Sequence, residues 1–265
     1  MLKRKAVVAG QFYPATAEEI QKYFDYFNEA LEKGIKDPNM LKTRTQAVIV
    51  PHAGYIYSGF TANVAHRLLA NADLKRIVVI GPSHRVYLRG TSVGEFDLYE
   101  TPFGDLTGDR ALADEIGRRF GLSFVPEAHA EHSTEVQFPF IKYYLPDVSI
   151  VELVYGDEDP KNLAPLIEWL LEDPQTGVVI STDLSHYYDI KKAKALDSIC
   201  LDAVATLNPA RLHEGCEACG KIGVEAMLIA ARAAGLEPLI LDYRTSADAS
   251  GDESQVVGYM SAAFI

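Results

Sequence analysis

Short apolar, β-branched runs alternate along this chain with longer segments whose apolar residues recur every three or four positions. The runs Ala6 to Ala9, Ala47 to Val50, Ile77 to Ile80, Ser149 to Val154, Val178 to Ser181, Leu239 to Tyr243 and Gln255 to Phe264 read as strands, because branched side chains suit a pleated surface. Between them, 17–33 (Thr16 as N-cap), 59–70, 110–120, 134–144, 162–171, 191–207 and 222–234 (stopped by Gly235) carry the helical period. Strands separated by helices connect as parallel neighbours, so the pattern implies an α/β fold with a largely parallel sheet. The last two strands are expected to pair near an edge. With no long Gly/Ser/Pro linker, low-complexity stretch or internal repeat, residues 1–265 are expected to form one domain.

Three of these runs finish alike, in the texts VIVPHAGY, VVIGPSH and VVISTDLSH. His52, His84 and His186 therefore fall just past the C-terminal ends of three predicted strands, the edge of a parallel sheet where ligands bind. One histidine after a strand is commonly a loop or cap residue. Three with the same placement would converge, and imidazole is the commonest metal-binding side chain.

Cys219 precedes a predicted helix, whose N-terminal dipole favours thiolate, and it forms a CxxC spacing with Cys216. No second CxxC completes a four-cysteine zinc site, which leaves a redox pair open. The stretch AHAEHSTEVQFPF adds His129 and His132, with Ser133 as the expected N-cap and His132 weighed between a capping and an outer-shell role. His66 and His213 are read as structural. Ser181 or Ser83 with His186 and Asp183 would supply a hydrolase, but neither serine sits in a GxSxG elbow.

Lys and Arg number 25 against 37 Asp and Glu, a net charge of -12 with no segregated basic stretch, which argues against nucleic acid. Three cysteines are too few for a secreted disulfide scaffold, and the apolar piece after Lys3, Arg4 and Lys5 is too short for a signal peptide. No apolar run reaches the roughly 20 residues that span a bilayer. The expectation is a cytoplasmic protein without a membrane segment.

The segments Pro51-His52-Ala53-Gly54-Tyr55, Gly81-Pro82-Ser83-His84, Glu131-His132-Ser133-Thr134-Glu135 and Ser181-Thr182-Asp183-Leu184-Ser185-His186 resemble, in this order, the signature stretches of the Memo family. Ala9-Gly10-Gln11-Phe12-Tyr13-Pro14, Thr101-Pro102-Phe103-Gly104 and Cys219-Gly220 match too, so the resemblance spans nearly the whole chain. It implies a three-layer α/β/α domain with a mixed, mostly parallel sheet, similar to the catalytic subunits of class III extradiol dioxygenases. It also implies a metal held by two histidines and one cysteine. Carried over, the ligands are His52, His84 and Cys219, with Cys216 or Glu225 as stand-ins for the third. His186 and Asp183 take the acid/base place, and Tyr55 and His132 line the pocket.

Iron or copper is favoured for such a site and zinc also fits. A thiolate in place of the dioxygenases' carboxylate makes ring cleavage unexpected. A redox or metal-handling protein is implied, with a peptide- or small-molecule-binding module as the alternative. Radical-SAM and AMMECR-type proteins are the implied partners.

Overall fold

The structure, a computed structural model, describes residues 1–35 and 37–265. Its strands are β1 (Lys3–Arg4), β2 (Ala47–Val50), β3 (Arg76–Pro82), β4 (Thr91–Val93), β5 (Leu98–Tyr99), β6 (Leu106–Gly108), β7 (Ser149–Tyr155), β8 (Thr176–Ser181), β9 (His186–Tyr188), β10 (Pro238–Thr245) and β11 (Val256–Phe264). Its α-helices are α1 (Ala17–Gly34), α2 (Tyr55–Leu69), α3 (Arg110–Phe120), α4 (His132–Glu135), α5 (Phe138–Tyr144), α6 (Pro160–Leu171), α7 (Ile190–Ala205), α8 (Lys221–Ala234) and α9 (Ala247–Ser250).

One mixed sheet runs in the order β1-β5-β6-β7-β3-β8-β2-β11-β10, with β4 added to β7 and β9 to β11. Its centre, β6-β7-β3-β8-β2, is parallel throughout, and β11 and β10 close the edge antiparallel. Side chains alternate between the two faces at the strand period. Val78, Ile80, Val151, Leu153, Val178 and Ile180 pack in the core that includes α3, α6, α7 and α8. Their neighbours Ile77, Val79, Ile150, Val179, Val48 and Val50 pack in the core that includes α1, α2 and α5. Both faces of the central strands are thus covered, which is why these strands read as unbroken apolar runs rather than alternating ones. The result is the three-layer arrangement with a mostly parallel sheet that the resemblance implied.

The parallel registers align the strand ends. Val50 lies opposite Ser181, and Ile80 opposite Ile180, so the segments leaving β2, β3 and β8 emerge side by side. β10 and β11 pair as expected. Thr16 caps α1 by accepting the N–H of Glu19, and Gly235, at φ 70°, ends α8 in the left-handed region.

Several expectations are corrected. Residues 6–9 form no strand; the N–H groups of Val7 and Val8 donate instead to the buried Glu135 carboxylate, and the N-terminal strand is Lys3–Arg4. The helix expected over 134–144 is two, α4 and α5. Its N-cap is Glu131, not Ser133: the Glu131 carboxylate accepts the N–H groups of His132 and Ser133. The helix expected at 59–70 starts earlier, at Tyr55. Among the described residues no helix is long and apolar enough to cross a membrane.

Candidate metal centre

Three loops deliver three imidazoles to the C-terminal edge of the sheet. His52 follows β2 by two residues and His84 follows β3 by two, while His132 opens α4. α4 can lie against the end of β3 because residue 81 is glycine: a Cβ there would sit 2.6 Å from Ser133 Oγ. Ser133 Oγ then donates to Pro82 O at 2.7 Å. This seats His132 beside His84, with ring centroids 4.6 Å apart, and beside His52, at 5.4 Å. His52 and His84 are 5.3 Å apart. One ligand nitrogen from each of His52, His84 and His132 lies within 4.8 Å of the others.

The backs of these rings are tied down. Glu131 is wholly buried, and its Oε1 lies 3.1 Å from His84 Nδ1 and 2.8 Å from His132 Nδ1. Oε1 also accepts the N–H groups of His132 (2.8 Å) and Ser133 (3.1 Å), and Oε2 accepts that of His84 (2.6 Å). Burial alone would raise this carboxyl; the hydrogen bonds from His132 and His84 and from the backbone outweigh it and hold the group well below the usual range. An ionised carboxylate only accepts, so His84 and His132 carry their hydrogens on Nδ1 and keep Nε2 free. His52 Nδ1 lies 2.9 Å from Ser181 Oγ. Burial, reinforced by His84 and His132, holds the His52 imidazole well below its usual value, so it is neutral, the form that binds metal.

Cys219 reaches the same place from the start of α8. Gly220 allows this, since a Cβ there would sit 2.6 Å from Thr182 Cβ. Cys219 Sγ is 3.3 Å from His52 Nε2 and accepts the Asp183 N–H at 3.3 Å, although it lies outside the three-histidine group. The sequence favoured a thiolate here. Burial, together with the Asp183 carboxylate, outweighs the helix terminus and pushes the thiol up to about 12 in the metal-free chain. Asp183 Oδ1 accepts the His52 N–H at 2.8 Å, and burial raises its carboxyl.

His186 begins β9, half-buried opposite Val257, and is not in the group of three. Tyr55 is buried, with its hydroxyl donating to Val136 O. The CxxC reading is corrected: Cys216 is bonded to Cys200 on α7, both facing the core beside α8, and Cys219 is free. Cys216 is thereby removed as a stand-in ligand. Glu225, the other stand-in, pairs with His213, its carboxylate 3.0 Å from His213 Nε2. His66 is buried in α2, stacked on Phe140, and His129 is buried against Glu152. Ser83 Oγ donates to Val86 O, and Ser181 is wholly buried, so neither is presented as a nucleophile. Glu131 was not expected among these residues; its mark in the sequence is a carboxylate immediately before a histidine at a helix start.

The family model described as Memo-like protein matches residues 4–263. A MEMO1 family protein of Aquifex aeolicus is 32% identical over 276 residues, covering 100% of both chains. One of Desulfurococcus amylolyticus is 34% identical over 282 residues, covering 100% of this chain and 99% of the relative. Among solved structures, an uncharacterized protein of Escherichia coli K12 aligns with a TM-score of 0.55 over 83% of this chain and 99% of its own, at 16% identity, and so shares the fold.

Proposed function

We propose that this chain, which belongs to the Memo family, is a redox or metal-handling protein that holds one metal ion on His52, His84 and His132. The observation that carries the reading is that each Nδ1 has a partner inside the protein while one ligand nitrogen from each ring falls within 4.8 Å of the others. Backing an imidazole with a carboxylate or hydroxyl is how proteins orient metal-binding histidines. Cys219 Sγ, beside His52, is the fourth donor in reach. Imidazole with sulfur suits copper, iron or zinc, and a bound ion would supply Lewis acidity or, for iron and copper, one-electron chemistry.

The protein's own residues do the rest. Glu131 and Ser181 hold the rings. Asp183 and His186, next in the loop after β8, are the groups for moving a proton on a small molecule at the open edge. His84 forms that edge, with 30% of its side chain exposed.

The test is anaerobic titration with Zn(II) and Cu(I), followed by elemental analysis. One ion per chain is expected, lost in His52→Ala, His84→Ala and His132→Ala and retained in His186→Ala. Stoichiometric metal in His132→Ala would make that residue a pocket wall only. A ligand-binding role without turnover is favoured by the exposed Ile56, Tyr57, Tyr87 and Tyr187, which follow His52, His84 and His186 closely in sequence. Under that reading a bound ligand keeps its affinity in Cys219→Ala.

A further inference from the structure

The hydrogen bonds behind His52 have a direction, and two backbone carbonyls impose it. Pro51 O can only accept, and it lies 2.9 Å from Gln137 Nε2, so the amide nitrogen of Gln137 points there. The same nitrogen is 3.0 Å from Ser181 Oγ and donates to it. Gln137 Oε1 then accepts from His66 Nε2 at 3.0 Å, which makes His66 Nδ1 a bare acceptor; that atom has no hydrogen-bond partner among the described residues. Ser133 O, the second carbonyl, is 2.5 Å from Ser181 Oγ. A hydroxyl has one hydrogen and two lone pairs. The hydrogen goes to Ser133 O, one lone pair accepts from Gln137, and the other faces His52 Nδ1 at 2.9 Å. His52 has to be the donor.

We propose that Ser181, with its polarity set by Ser133 and Gln137, is a positioning residue that fixes His52 as the Nδ1–H tautomer and so presents the Nε2 lone pair to the centre. The tautomer stands without any metal; its use in binding rests on the metal reading above. Ser181 does with a neutral hydroxyl what Glu131 does for His84 and His132 with a carboxylate. In the metal-free chain the Nε2 lone pair is met by Cys219 Sγ at 3.3 Å, which makes the thiol the donor of that contact.

The experiment is a long-range proton–nitrogen correlation spectrum of the ¹⁵N-labelled, metal-free full chain at pH 7.5, with His52 assigned through His52→Gln. The expected spectrum shows His52 with a protonated Nδ1 and an unprotonated Nε2; a protonated Nε2 overturns the proposal. In Ser181→Ala, His52 is expected to populate both tautomers, and the Zn(II) dissociation constant to rise about 10–100-fold. Ser83→Ala, which removes a hydroxyl bonded to Val86 O, leaves the His52 pattern unchanged. A folded Ser181→Ala chain that keeps the Nδ1–H pattern and wild-type zinc affinity also overturns the proposal. If that variant does not fold, the wild-type spectrum decides. A wild-type chain with Nδ1–H that binds no zinc supports the tautomer assignment and sinks the metal reading instead.

Discussion

The short helix α4 contributes to two clusters of imidazole and carboxylate that use the same residue types to opposite ends. His132, at its start, joins His52 and His84 behind the Glu131 carboxylate. Glu135, at its end, joins Arg4, Glu152 and His129 in a group that is buried throughout. In the second cluster every imidazole nitrogen is used: His129 Nδ1 lies 2.8 Å from Glu152 and its Nε2 2.8 Å from Ser92 Oγ. Arg4 spans both carboxylates and also donates to Glu131 O, while Glu135 accepts from Val7, Val8 and Tyr13 and Glu152 accepts from Thr134. Burial would raise the Glu152 carboxyl, and Arg4 and His129 bring it below its usual value instead. This closed cluster clamps the N-terminal segment, whose Phe12 ring packs on His132 at 4.7 Å. The open cluster turns one nitrogen of each ring toward a common centre, where His52 Nε2 meets only the Cys219 thiol. A histidine's role here is read from where its second nitrogen points and from whether the group it joins opens to solvent, as it does at His84.

Breaking the closed cluster should have the largest effect. Arg4→Met strands two buried carboxylates and is expected to cost about 3–5 kcal/mol in denaturant unfolding; a loss below about 1 kcal/mol would mean that the cluster does not hold the fold. In the open cluster the balance reverses. His84→Ala should raise the Zn(II) dissociation constant by about 100-fold or more while metal-free stability stays within about 1 kcal/mol, because an exposed side chain contributes little to packing. Equal damage to both properties would erase the contrast. Glu131→Gln keeps the shape but not the charge behind two rings, and zinc affinity is expected to fall about 10–100-fold, measured by competition with a chelator.

The smallest effect sharpens the rule through His66, which has an unpartnered Nδ1 but no exposure. Burial lowers its pKa from 6.5 to about 4 despite the hydrogen bond with Gln137. The unfolded chain therefore takes up this proton first. The stability it contributes is complete above pH 6.5 and is lost progressively as pH falls toward 4. Between pH 7.5 and 5.5, wild type should lose about 1 kcal/mol more than His66→Gln. Identical pH profiles would show that this nitrogen is reached by solvent.

How far the sequence revealed these regions follows from what each depends on. Strands such as Ile77 to Ile80 and helices such as α1 were legible because period and capping are local. Residues 6–9 misled, since an apolar run does not disclose that its N–H groups go to a carboxylate 127 or 128 residues away. β4, β5, β6 and β9, at two or three residues each, are too short to show a period. His52 and His84 were visible as strand-end residues. The place of His132 in their group was not, because it depends on Gly81 admitting α4, a tertiary approach. The closed cluster was invisible, since Arg4, Glu135 and Glu152 look like ordinary surface charges until the fold buries them.

The most direct test of the central claim is anomalous diffraction at the zinc edge from crystals of the full chain soaked with Zn(II). One peak is expected at the sheet edge, about 2.0–2.1 Å from Nε2 of His52, His84 and His132, with every Nδ1 still on Glu131 or Ser181. No peak there, or an ion bound through Nδ1 with Glu131 displaced, would contradict that claim.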